Sequence, residues 1–221
     1  MTDPDRAARE ARIEAAAYAV LAERGYAGAS MLTIARRARA SNETLYRWYG
    51  DKTGLFAALV SRNAADSAER LRAALEADRS PLQALCAVAP VLLGMVLGER
   101  AVALNRAAAS DPTGELGRVI AEGGRARIVP LLADLIARAE AAGELPPGDP
   151  SERADLLVTL LIGDRQIRRV IGSLPEPAPA EITAQAEAAL HRFVLLCRAE
   201  RTMAVRAARE APPSDLTGPE S

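Results

Sequence analysis

A chain of 221 residues that is 49% apolar and 26% charged can bury a sizeable core and is too apolar to be disordered. Its net charge of −1 excludes a protein that binds nucleic acid by bulk positive charge. Ala, Leu, Arg and Glu dominate, β-branched residues are sparse, and no Asn-Gly or Asp-Gly hairpin signal occurs, so an all-α fold is expected.

Residues 1–10 are polar and expected to fray at the start. From about Arg6 to Arg24, Ile13, Ala16, Ala17, Val20 and Leu21 recur at helical spacing, and Gly25 supplies a left-handed stop. Ser30 reads as the N-cap of a short second helix, and Ser41 as the N-cap of a third that runs to about Tyr49. A long helix is expected from Lys52 to about Asp78, with Leu55, Phe56, Leu59, Val60, Leu71 and Leu75 as its stripe. Pro81 opens an almost wholly apolar helix to about residue 98, which Pro90 and Gly94 should kink. A short helix covers 100–109, and Asp111-Pro112-Thr113-Gly114 is a turn. Residues 115–142 are helical with bends at Gly123-Gly124 and Pro130. The stripe Leu156, Leu157, Leu160, Leu161, Ile167, Ile171 reads as one helix over 151–173. After a Pro-rich linker, the last long helix covers 180–209 with Ile182, Leu190, Phe193, Val194 and Leu196. About nine helices result. The tail 212–221 has the composition of a disordered segment.

The charge is unevenly spread. Residues 1–64 hold ten basic and seven acidic side chains, whereas the remainder is net acidic. Three of the seven aromatic residues fall within Tyr46–Tyr49. The pair of capped helices over 30–49 has the form of a helix-turn-helix, in which the second helix fits the major groove and the first crosses the backbone. Ser41, Asn42, Glu43 and Thr44 stand at the exposed start of that second helix. Asn42 suits adenine and Glu43 the cytosine amino group. Glu43 alternatively favours the helix N-terminus through the dipole. Tyr46, Arg47 and Trp48 suit phosphate, sugar or stacking contacts, with Trp48 alternatively packed inside. Arg36, Arg37 and Arg39 face a phosphate backbone or simply solvent. Lys52 is the only lysine, and it opens the next helix, where its ammonium and the backbone N–H groups would meet a phosphate together. Leu45 and Tyr49 share a face with Ile34 and Ala35 and read as core.

Residues 13–60 resemble the N-terminal domain of TetR-type transcriptional regulators. The resemblance is carried by Ala22-Glu23-Arg24-Gly25-Tyr26, Ser30-Met31, Ile34-Ala35-Arg36-Arg37-Ala38, Ser41, Thr44-Leu45-Tyr46-Arg47-Trp48-Tyr49, Asp51-Lys52 and Gly54-Leu55-Phe56. It implies three N-terminal helices in a DNA-binding domain over 1–51, then an effector-binding and dimerising helical domain over 52–211. It further implies Ser30, Thr33, Arg36, Ser41, Asn42, Glu43, Thr44, Tyr46, Arg47, Trp48 and Lys52 as DNA contacts. Two positions depart from the family pattern: Arg39 stands where Gly is usual in the turn, and Asn42 where Lys is frequent. The implied partners are a palindromic double-stranded operator, a second copy of the chain and a small effector.

The body supports an apolar or amphipathic effector. Val88, Leu92, Met95 and Val96 form a greasy wall, and Asn105, Arg106, Asp164, Arg165 and Gln166 are polar groups in apolar context. Arg106, Asp164 and Arg165 alternatively form ion pairs. The apolar stripes of 156–171 and 182–196 predict a four-helix interface between two copies. Cys86 and Cys197 read as two buried thiols, and the lone His191 as a packed or interface residue. No metal-ligand spacing, catalytic constellation or Gly-rich phosphate loop occurs, so neither a cofactor nor catalysis is expected. No run of about 18 apolar residues or cleavable leader is seen, and a soluble cytoplasmic protein without membrane association is expected. A ligand-responsive repressor is the leading reading. A helical binding module with decayed DNA affinity is the alternative.

Overall fold

The computed structural model describes residues 3–75 and 79–210. Among them are eleven α-helices and no strand: α1 (Asp3–Gly28), α2 (Met31–Ala38), α3 (Asn42–Tyr49), α4 (Lys52–Leu75), α5 (Pro81–Leu97), α6 (Glu99–Ala109), α7 (Glu115–Gly123), α8 (Arg125–Ala141), α9 (Pro150–Ile162), α10 (Arg165–Val170) and α11 (Pro179–Glu210). The all-α fold is as expected, but the helix count is higher. Two expected helices are each a pair. The 115–142 segment breaks at Gly124, whose φ of −97° and ψ of −94° fit no helix. The 151–173 segment breaks at Gly163, with φ 54° and ψ −135°. The expected tail and the side chains of Leu71 and Leu75 lie outside the described residues.

Local signals set most boundaries. Gly25 departs from helical geometry, at φ 65° and ψ 178°, although the helical run resumes as far as Gly28. Ser80 and Gln83 form a reciprocal capping box ahead of Pro81. The Asp149 carboxylate accepts from Ser151 N and Glu152 N, with Pro150 in the first turn of α9. The Asp111 carboxylate accepts from Leu116 N at 3.0 Å and from the Thr113 backbone N–H and hydroxyl. Those donors, Leu116 foremost, hold its carboxyl below the usual carboxylate range.

Two apolar cores result. The N-terminal core joins Ile13, Val20, Ile34, Leu45, Leu55, Phe56 and Leu59 to Leu104, Ala107 and Leu116. The body core packs Leu85, Leu93, Leu135, Leu157, Leu161 and Phe193, drawn from α5, α8, α9 and α11. The first core crosses residue 51 without interruption, because the first half of α4 packs against α1 to α3 and α6 brings Leu104 beneath it. Residue 51 is therefore a turn rather than the edge of an independent core.

Cys197 is buried as expected, whereas Cys86 is exposed on the protomer surface. Helix α5 is not buried all round, and residue 86 falls on its outer side. Partial burial raises both thiols above their ordinary range, so neither is an activated thiolate. His191 is exposed on α11.

Candidate nucleic-acid interface and effector cavity

The two short helices are fixed by paired caps. Ser30 accepts from Thr33 N at 3.2 Å, and its hydroxyl lies 2.9 Å from that of Thr33. Ser41 repeats the device with Thr44, at 3.1 Å to the backbone N–H and 2.7 Å between hydroxyls. Capping satisfies orphan donors and sets where each helix starts. It also explains why Thr44 is buried at 7% exposure rather than standing with the outward groups. The expectation that Thr44 faces bases from an exposed position is not met in this protomer, because position 44 lies three residues beyond the cap and turns back onto it.

The outward groups come from one end of α3 and from α2. Asn42, Glu43, Tyr46 and Arg47 are exposed on α3, and Ser41 is exposed at its cap. Arg36 is exposed near the end of α2, Ser30 is exposed at its cap, and Thr33 is half-buried. Arg37 is turned aside, since its guanidinium is clasped by Glu23 on α1 at 2.6 Å. Trp48 is half-buried, edge-on to Tyr49 at 6.4 Å, with the Arg6 guanidinium 5.4 Å above it. Leu45 is fully buried and Tyr49 half-buried against the same core. Burial pushes the Tyr49 phenol above its ordinary range.

Lys52 departs from its expected orientation. Its Nζ donates to the Tyr26 carbonyl at 2.8 Å and lies 4.0 Å from the centre of the Tyr26 ring. The ammonium thus ties the first turn of α4 to the end of α1 instead of standing free for a phosphate. The carbonyl and the ring face provide partners for the charge nearer than solvent.

Arg39 sits in the turn at φ 51° and ψ 41°, the one non-glycine residue with positive φ among those described. Its N–H closes α2 by donating to Ala35 O and Arg36 O. A left-handed L-residue costs about 1 kcal/mol relative to Gly. Arg39→Gly is expected to raise the melting temperature by about 2–4 °C in a circular-dichroism melt. An unchanged or lowered midpoint would refute the strain.

Helices α1 and α4 are locked by a charged cluster. Arg62 donates to Glu10 and Glu14, each at 2.8 Å, and Arg6 adds a second guanidinium to Glu10 at 2.9 Å. Those donors, Arg6 foremost, hold the Glu10 carboxyl low, whereas burial pushes Glu14 up.

Beyond that lock lies a cavity of about 350 Å³, enclosed by α4 to α10. Leu92, Met95, Val96, Asn105 and Gln166 line it, as the sequence suggested. Val88, Arg106 and Asp164 do not. Val88 faces the body core at 1% exposure. Arg106 extends to α10, donating to Val170 O at 2.7 Å and Arg169 O at 2.8 Å. Asp164 is exposed and pairs loosely with Arg168 at 3.9 Å, while Arg165 donates to Gln185 at 2.6 Å. Of the three groups for which ion pairs were the alternative, only Asp164 forms one among the described residues, whereas Arg106 and Arg165 donate to neutral oxygens.

The comparisons with known proteins agree with this geometry. The family model described as "Bacterial regulatory proteins, tetR family" matches residues 13–59. That described as "AefR-like transcriptional repressor, C-terminal domain" matches residues 83–209, more than half of the chain. The chain belongs to the TetR family of bacterial transcriptional regulators. An HTH-type transcriptional repressor of Streptomyces coelicolor is 41% identical over 68 residues, a match covering 31% of this chain and 35% of that repressor. The match thus spans about a third of that relative's length. A TetR-family regulator from Mesorhizobium loti shares the fold at a TM-score of 0.74 and 26% identity, covering 89% of this chain and 98% of that one. The Flavonoid-responsive Regulator FrrA gives a TM-score of 0.63 and 29% identity, covering 86% and 96%. The regulator FadR of Bacillus subtilis, solved with stearoyl-CoA, gives 0.68 at 17% identity, covering 83% and 96%, which is a likeness of fold.

For this TetR-family regulator, the cavity also has walls that sequence reasoning missed. Helix α4 contributes Val60, Asn63 and Ala64, α7 contributes Gly117 and Ile120, and α8 contributes Arg125, Ile128 and Val129. Gly123 marks the close approach of α7 to α4: a Cβ there would lie 3.6 Å from Val60 and 3.7 Å from Ala64. Among the described residues no group of three His, Cys, Asp or Glu is placed to hold a metal ion. No single helix among them is long and apolar enough to cross a membrane.

Proposed function

We propose that this regulator represses transcription as a dimer that reads a palindromic operator and is released when an apolar or amphipathic effector fills the cavity. One observation carries the coupling. Helix α4 holds the reading head through Lys52, Leu55 and Phe56 at its start and walls the cavity with Val60, Asn63 and Ala64 two turns later. An effector that prefers one placement of α4 therefore shifts the population of head positions. Two structural relatives support an effector with a large apolar part, one being flavonoid-responsive and the other solved with stearoyl-CoA, an amphipathic molecule with a long acyl chain.

Dimerisation brings together faces that one protomer leaves bare. Ile167 and Ile171 are 56% and 67% exposed on and just after α10, and Leu195, Leu196 and Met203 are exposed along α11. Packing them against a second copy removes them from water and sets two α3 helices one DNA turn apart. Asn42 and Glu43 then meet base edges, Tyr46, Arg47 and Arg36 meet phosphates, and Lys52 acts as a strut behind them.

The test is a titration of the full chain on its own upstream DNA across salt concentrations. A logarithm of affinity that falls linearly with the logarithm of salt supports operator binding, and a flat response supports a binding module that has lost it. Arg47→Ala is expected to weaken binding on every sequence alike and to reduce the salt slope by about one. A changed base preference at unchanged affinity would overturn the phosphate role.

A further inference from the structure

Asn105 stands where two cavities meet. The main chamber and an outer groove of about 380 Å³ share Asn105, Gly117 and Gln166. The groove continues between α6 and α10, past Ala108, Ala109, Ile167 and Val170. Asn105 and Gln166 thus place two carboxamides at a neck whose inner side is largely aliphatic, with Asn63 and Arg125 as its other polar walls.

The carboxamide of Asn105 has only one admissible orientation. One of its nitrogens or oxygens lies 2.8 Å from the Ala101 carbonyl, and a carbonyl only accepts, so that atom is the donating Nδ2. Its Oδ1 is therefore the group that half-buried Asn105 offers to the neck, where a ligand donor can replace water.

The chamber beyond gives no unpaired counter-charge among its described walls and no aromatic face. Its walls include Leu92, Met95, Val96, Ile128 and Val129, without a single Phe, Tyr or Trp. Arg125 is the one charged lining residue, and it is exposed and clasped by Asp155 at 2.6 Å. A charged ligand group brought inside would lose water without a free partner. A neutral carboxamide neck favours a neutral tip.

Resting on the reading that this chamber is the effector site, we infer that the effector is an uncharged aliphatic or alicyclic molecule with a hydroxyl. That hydroxyl donates to Asn105 Oδ1 at the neck, and the hydrocarbon body lies against α5 and α8. Gln166 supplies the donor for the hydroxyl's own lone pairs.

Matched eight-carbon probes test this by calorimetry on the full chain at neutral pH: 1-octanol, methyl heptyl ether and octanoate. Octanol is expected to bind about five- to tenfold tighter than the ether, with octanoate weakest. Asn105→Leu is expected to abolish the preference for octanol and leave the ether's affinity within about threefold. Equal binding of alcohol and ether, tightest binding of octanoate, binding of none of the three, or a preference that survives in Asn105→Leu each overturns the inference. The cavity reading is scored separately by Ala101→Phe and Val129→Phe, which fill the chamber. If these abolish binding while the hydroxyl preference is absent, the chamber remains the ligand site and the inference alone falls. If both bind every probe as the unaltered chain does, the ligand lies elsewhere and both fall.

Discussion

Ile171→Glu combined with Leu195→Glu is expected to turn the proposed dimer into monomers and to lower affinity for the proposed operator by more than about a hundredfold. The expectation follows from exposure and symmetry. Ile171 is 67% and Leu195 51% exposed in the protomer, so neither substitution opens its core. In a two-fold interface each substitution counts twice. Four aliphatic side chains at about 1.5–3 kcal/mol each lose about 6–12 kcal/mol in total, more than about ten-thousandfold in dimerisation. Carboxylates forced together add repulsion. A monomer holds one α3 and reads half a palindrome. Light scattering at micromolar concentration and an operator titration check the two halves of the claim, while the melting temperature of the protomer should stay within a few degrees. A dimer that survives both glutamates would place the interface elsewhere, and operator affinity that survives in a proven monomer would remove the need for the dimer.

The elements read correctly from sequence are those whose determinants are local. Ser30 and Ser41 cap helices because the partner N–H lies three residues on, and Gly25 and Arg39 sit where a chain must turn left-handed. Lys52 shows the opposite case. Its position at a helix start is local, but its orientation depends on the Tyr26 carbonyl, 26 residues earlier, which only tertiary packing brings near. The break at Gly163 was hidden for a related reason: the apolar stripe from Leu156 to Ile171 keeps its spacing through the glycine, so periodicity continues while the backbone does not. Helix α5 exposes a third limit. Almost every position on it is apolar, so composition cannot separate Val88, which faces the body core, from Leu92, Met95 and Val96, which face the cavity. For Val60 the stripe of α4 announces burial, but burial against what is decided by the approach of α7 at Gly123, which also encloses Ala64 off the stripe. The capped helices α2 and α3 were thus largely legible, and the lining of the cavity only half so.

Arg169→Ala is expected to destabilise the protomer by about 2–4 kcal/mol and to lower its melting temperature by roughly 6–12 °C. Arg169 is 5% exposed, at the end of α10. Its Nε donates to Leu97 O at 3.0 Å, its Nη1 to Leu174 O at 3.2 Å, and its Nη2 to the Glu99 carboxylate at 2.6 Å. One planar guanidinium thereby joins the end of α5, the start of α6 and the loop after α10. Removing it leaves carbonyls without donors in a buried site, and the desolvation they suffered is no longer offset. Lysine is a poor substitute, because a single ammonium on a flexible stem cannot serve three acceptors in one plane. Arg169→Lys should therefore fall closer to alanine than to the unaltered chain. Glu99 is 67% exposed, so the charge pair itself contributes little, and Glu99→Gln should shift the midpoint by under about 1 kcal/mol. That ordering separates carbonyl satisfaction from ion pairing. If Glu99→Gln matched Arg169→Ala, the carboxylate would be the important partner. The same joint adjoins the proposed effector site. Arg106 on α6 holds the carbonyls of Arg169 and Val170, and α10 bears Gln166 at the cavity and Ile167 on the exposed face. Arg106→Ala cuts only exposed or half-buried bonds, so it should leave the melt nearly unchanged while weakening octanol binding several-fold. Loss of stability in Arg106→Ala without a change in ligand affinity would show that α10 is braced for folding and not for the site.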